Sequence, residues 1–94
     1  MTEGRARIRW LTKEEGGRES PPPGPQYSTA ARFEVLRDRW PREGWSVVLR
    51  IEGADPTEVG IRPLVPNAPS ELFVSGSRFD LFEGSKKVAE GEVL

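Results

Sequence analysis

Apolar and polar residues alternate with a period of two in several short runs of this chain. That spacing puts one side of a β-strand in a core and the other in water. Residues 5–11 are the clearest case: Arg5, Arg7 and Arg9 fall on one face, and Ala6, Ile8 and Trp10 on the other. The pattern predicts a second strand over 30–36, with Ala31, Phe33 and Val35 together. A third, over 45–51, gathers Trp45, Val47, Leu49 and Ile51 and leaves Val48 alone on the opposite side. A weaker strand is predicted over 59–65, where Pro63 implies an edge or a bulge, and a brief one over 71–74. Residues 77–82, with Phe79 and Leu81 on one face, and residues 87–94 complete the set. Gly91 falls mid-strand, as glycines do at bends or close backbone approaches.

The segments between these runs are rich in turn formers. Residues 12–17 turn through Gly16-Gly17, residues 52–57 through Gly53 and Pro56, and residues 66–70 through Pro66 and Pro69. Gly84-Ser85 has hairpin chemistry. Residues 20–26 hold Pro21, Pro22, Pro23 and Pro25, which reads as an extended polyproline connector. Residues 37–44 form a charged loop containing Trp40. Short strands at turn-separated intervals, with no helical period, predict an all-β fold. With only 94 residues, the chain suits one domain spanning 1–94. A closed six-stranded antiparallel β-barrel is preferred to a sandwich, because closure removes the sheet edges a small protein would otherwise have to protect. Trp10, Phe33, Trp45 and Phe79 are its expected core.

Composition narrows the chemistry. The chain has no histidine and no cysteine. The commonest general base and the thiol nucleophile are therefore absent, and so are the usual zinc ligands. Ser85 and Lys86 are adjacent and would point apart on a strand. Glu14-Glu15 falls far short of a calcium shell. No enzyme activity, cofactor or metal is expected. No apolar run approaches the length of a membrane span, and the arginine-bearing N-terminal segment does not read as a secretory signal, so a cytoplasmic protein without a membrane partner is expected. The net charge of −1 divides into +3 over residues 1–50 and −4 over residues 51–94.

The arginine ladder Arg5, Arg7 and Arg9 reads either as a phosphate-tracking stripe or as a solvated barrel face. Arg18, after two glycines, reads as an anion contact or as the partner of a nearby aromatic or carboxylate. Trp40, among Arg37, Arg39 and Arg42, suits a protein hot spot or a single-stranded nucleic acid if exposed, and equally a loop residue folded back on the barrel.

The two ends of the chain also carry a resemblance. Ala6 to Thr12, then Glu14-Glu15-Gly16-Gly17-Arg18 and Pro25-Gln26-Tyr27, resemble the opening of the third, C-terminal β-barrel domain of the elongation factor Tu family. Ser77 to Gly84 and Val88 to Leu94 resemble its last two strands. The middle of the chain, residues 37–70, does not match. The resemblance implies a barrel fold and a tRNA-facing surface, here Gln26, Glu83 and Gly84. Ser85-Lys86 stands where the family has glycine and arginine. The family's GTPase activity does not carry over, since there is no phosphate-binding loop for a nucleotide. The candidate binding surface is thus Arg18, Gln26, Trp40, Glu83, Gly84 and Lys86. The expected role is a non-enzymatic binding module with a protein partner. The alternative is RNA, its phosphates held by Arg5, Arg7, Arg9, Arg18 and Lys86.

Overall fold

The computed structural model describes residues 4–40, 42, 44–51 and 57–94. It contains six strands: β1 (Gly4–Trp10), β2 (Gln26–Phe33), β3 (Trp45–Arg50), β4 (Glu58–Pro63), β5 (Arg78–Glu83) and β6 (Lys86–Val93). They close into an antiparallel barrel in the order β1-β4-β3-β2-β5-β6. The all-β, six-stranded expectation holds. The turn expected over residues 52–57 lies mostly outside the described residues, as do Pro41 and Glu43 of the charged loop.

Alternation builds the core. On β1, Ala6 and Ile8 are buried while Arg5, Arg7 and Arg9 are exposed. Val47 and Leu49 from β3, Val59 and Ile61 from β4, and Phe79 and Leu81 from β5 join them inside. Burying a side chain of this size contributes about 1.5–3 kcal/mol. Of the four aromatics expected in the core, Phe33 and Phe79 are fully buried. Trp10 and Trp45 are half-buried and pack against its ends. The Trp45 indole N–H is buried and finds no acceptor among the described residues. Gly91 faces inward opposite Phe79 in the β5–β6 ladder. A methyl group there would sit 2.4 Å from the Phe79 ring and 2.9 Å from Ile8 Cδ1, so the close approach expected of this glycine is real.

Four boundaries differ from expectation, one of them the end of β4, which stops at Pro63 and leaves Leu64 and Val65 exposed outside the strand expected over 59–65. β2 starts at Gln26, inside the expected connector, because Gln26 and Tyr27 pair with Arg50 and Leu49 of β3. It ends at Phe33, where a 3₁₀ turn (Glu34–Arg39) takes over and leaves Val35 exposed instead of in the strand. The brief strand expected over 71–74 is a second 3₁₀ turn (Ser70–Phe73), which tucks Leu72 into the core. Pro63 is the last residue of β4, opposite Val47, where its missing N–H leaves no gap inside the ladder.

A register shift in the β5–β6 ladder pairs Leu81 with Ala89 but Phe82 with Lys87, so Val88 is an extra residue on β6. The bulge sends both Val88 and Ala89 inward and turns Lys87 outward.

Neighbouring strands all run antiparallel, so the two ends of the barrel are built from different segments. Connections β1–β2, β3–β4 and β5–β6 close one end, the hairpin end. Connections β2–β3 and β4–β5 leave from the other, where β1 begins and β6 finishes; this is the terminal end.

Candidate functional site

The hairpin end is assembled by the glycine turn that follows β1. Backbone N–H groups of Glu15, Gly16 and Gly17 donate to Thr12, Lys13 and Thr12 carbonyls at 3.0, 3.0 and 2.8 Å. Gly16 takes a φ of 89°, which an L side chain rarely adopts. At Gly17 a Cβ would meet the Leu11 carbonyl oxygen at 2.2 Å, so the chain can fold back this tightly only with glycine there. The Glu15 carboxylate locks the turn by accepting from the Thr12 N–H at 2.8 Å and from Arg9 Nη1 at 3.1 Å.

The turn delivers Arg18 to the barrel mouth. Its Nη1 donates to Glu83 Oε2 at 2.5 Å and its Nε to the Ser20 carbonyl at 3.0 Å. The guanidinium carbon lies 5.6 Å from the centre of the Tyr27 ring. Tyr27 Oη donates to the same Glu83 oxygen. The Trp10 ring meets Tyr27 edge-on, with centroids 5.8 Å apart. Thr29 Oγ1 donates to the Phe82 carbonyl just inside this layer.

The electrostatics follow from that geometry. Burial and the bond to Glu83 push the Tyr27 phenol up to about 12. The Tyr27 hydroxyl, with Arg18 and Lys86 assisting, holds the Glu83 carboxyl below its ordinary value. One carboxylate oxygen thus joins β5, β2 and the first loop. Arg18 makes both of the contacts its structural reading requires, a carboxylate and an aromatic face.

The other candidate residues are placed around this cluster. Gly84 (φ 64°) and Ser85 form the two-residue turn between Glu83 and Lys86, which are partners in the ladder. Gln26 and Lys86 are exposed at the same end. Trp40 is elsewhere. It packs on the outward-facing ring of Phe82, with centroids 4.9 Å apart, and is half-buried. Arg32 covers the same Phe82 ring at 5.2 Å. Trp40 therefore pins the β2–β3 connection to the barrel wall.

Of the residues that the RNA alternative gives to phosphates, Arg5 pairs with Glu58 at 3.7 Å, Arg9 with Glu15 and Glu90, and Arg18 with Glu83. Arg9 opens an ion ladder across four strands. Glu90 pairs with Arg9 at 3.0 Å and with Lys87 at 2.8 Å; Lys87 reaches Asp80 at 3.2 Å, and Asp80 pairs with Arg32 at 2.6 Å. The bulge makes this possible, because it brings Lys87 to the outer face three residues from Glu90. The bond from Lys87, then that from Arg9, keeps the Glu90 carboxyl below its ordinary value.

Local patterns single out Arg9 but not Tyr27 or the other ladder residues, Arg32, Asp80, Lys87 and Glu90. Tyr27 stands in the Pro25-Gln26-Tyr27 run, and the ladder residues stand at outward positions of their strands.

At the terminal end the surface changes character. The large apolar side chains exposed among the described residues are Val35, Leu64, Val65, Val74 and Leu94. Every one lies in a segment that leaves or enters the barrel at this end. No protein-family model and no curated protein matches the chain.

Proposed function

We propose that this barrel is a non-enzymatic binding module that takes a protein partner on its terminal end. The observation that carries the reading is the segregation of exposed apolar side chains: Leu64, Val65, Val74 and Leu94 border that end, while the hairpin end is closed by the Arg18–Glu83–Tyr27 cluster. Exposed apolar surface gathered in one place is a mark of protein–protein contact. The near-neutral net charge agrees, since nucleic-acid binders carry a basic surplus. The ion pairs of Arg5, Arg9 and Arg18 also leave less free charge for phosphates than RNA binding through those residues requires. The resemblance to the last domain of elongation factor Tu accords with a closed six-stranded barrel and supplies the RNA alternative.

The test places a photo-crosslinking side chain at position 74 in one variant and at position 86 in another. The expected result is a discrete protein adduct from position 74 that disappears in a Leu64→Ser background and persists at high salt. RNA adducts from position 86 that vanish with salt would replace this reading with the alternative.

A further inference from the structure

An open groove of about 850 Å³ runs along the outer wall over β1, β6 and β5, from Pro21 and Thr57 at the hairpin end to Glu34 and Arg37 of the β2–β3 connection. Its volume is that of a small-molecule site. The ion ladder forms part of its lining, and there Glu90 and Asp80 bridge the three cations Arg9, Lys87 and Arg32. Those charges are engaged with one another.

Three other arginines line the same groove: Arg7 from β1, Arg37 from the first 3₁₀ turn, and Arg78 from the start of β5. Among the described residues, no carboxylate comes within ion-pair distance of any of them. The arrangement explains why. Arg7 has Glu58 and Glu92 as its ladder neighbours, but Glu58 is engaged by Arg5 at 3.7 Å. Glu92 lies between Arg7 and Arg78 in the β1–β6–β5 row and pairs with neither. Three arginines thus line one recess beside a floor whose own charges are already paired. Each offers a planar fork of donors, the geometry that grips phosphate and carboxylate oxygens bidentately.

We propose that this groove binds a small ligand carrying two or more adjacent anionic groups, phosphate or carboxylate, held by Arg7, Arg37 and Arg78. The ligand's anionic groups occupy the positions that protein carboxylates leave vacant, and Glu92 acts as a weak internal competitor. The site does not rest on a protein partner, although Arg37 belongs to the connection that leaves the barrel at the terminal end.

The experiment is titration of the whole chain at low salt with inorganic tripolyphosphate and, separately, with citrate, followed by calorimetry and by amide chemical shifts. Saturable one-to-one binding is expected, with shifts centred on β6 and on residues 7, 37 and 78. Arg7→Ala and Arg78→Ala each weaken it about tenfold, the loss of one charged hydrogen-bonding group. Both side chains are exposed and unbridged, so these variants keep the wild-type fold, which circular dichroism checks. Glu92→Gln tightens binding, and Arg62→Ala, which removes an arginine outside the groove, leaves it unchanged. Tighter binding of tripolyphosphate identifies a phosphate ligand; tighter binding of citrate identifies a carboxylate one. The proposal is overturned if neither probe saturates below about 10 mM. It is equally overturned if Arg62→Ala weakens binding as much as Arg78→Ala, or if only an RNA oligomer binds.

Discussion

The two ends of this barrel use their side chains in opposite ways. At the hairpin end, charged and aromatic groups turn toward one another. Arg18, Tyr27 and Glu83 meet at a single carboxylate oxygen, and Trp10 packs edge-on to Tyr27. At the terminal end, Phe33 and Leu72 are buried, yet Leu64, Val65, Val74 and Leu94 remain in water. The contrast separates contact that stabilises the fold from surface left for something else. A residue picked out for its charge, Arg18, is occupied within the molecule. Apolar residues, unremarkable in the sequence, are the ones left open.

The largest effect belongs to Glu83. Glu83→Ala leaves the Tyr27 hydroxyl and the Arg18 guanidinium without their shared acceptor. It should cost about 2–3 kcal/mol in denaturant unfolding, since hydrogen bonds to charged groups are worth about 1.5–3 kcal/mol. A loss below about 0.5 kcal/mol would mean that the cluster does not close this end.

The same cluster fixes a pH response. Glu83 has its carboxyl lowered in the fold, so its contribution is complete above the ordinary carboxylate value and fades as pH falls through the lowered one. Tyr27 is raised to about 12, so its contribution is complete below about 10 and fades as pH rises from there toward 12. Lys87, raised chiefly by its bond to Glu90, also titrates on the alkaline side. Comparison with Tyr27→Phe isolates the phenol. The chain has one tyrosine, so phenolate absorbance reports it directly. Its midpoint should lie well above 10 and drop toward 10 in Glu83→Gln. A midpoint near 10 in the folded wild type would break the cluster reading.

Tyr27→Phe itself should cost about 1 kcal/mol, the net worth of one hydrogen bond. The smallest effect is expected at the terminal end. Trp45→Phe removes a buried indole N–H that has no acceptor, and the relief offsets lost packing, so stability should change by less than about 1 kcal/mol.

Much of the fold was legible because alternation is a local signal. The inward faces of β1 and β3, the Gly84-Ser85 hairpin and the tight approach at Gly91 all follow from residues read in place. Boundaries failed where tertiary contact overrode pattern. Gln26 looked like the tail of a proline run, yet pairing with Arg50 makes it a strand. Val35 kept the alternation of β2 but sits in a 3₁₀ turn that carries the chain toward Trp40. The bulge at Val88 is invisible in Lys86-Lys87-Val88-Ala89, because only the partner strand defines an extra residue. The candidate site was half legible. Arg18 and Glu83 were both singled out, but 65 residues separate them, and no local pattern shows that they meet. Trp40 was open to two readings, and its stacking on Phe82 depends on a strand 38 residues away being in place.

The Arg18–Glu83–Tyr27 cluster of the hairpin end helps hold the fold, and the exposed apolar side chains of the terminal end do not. Denaturant midpoints of Arg18→Ala and Leu64→Ser, measured side by side, test it most directly. Arg18→Ala should lose about 1–2 kcal/mol, and Leu64→Ser should stay within about 0.5 kcal/mol of wild type. A stable Arg18→Ala beside a strongly destabilised Leu64→Ser would contradict it.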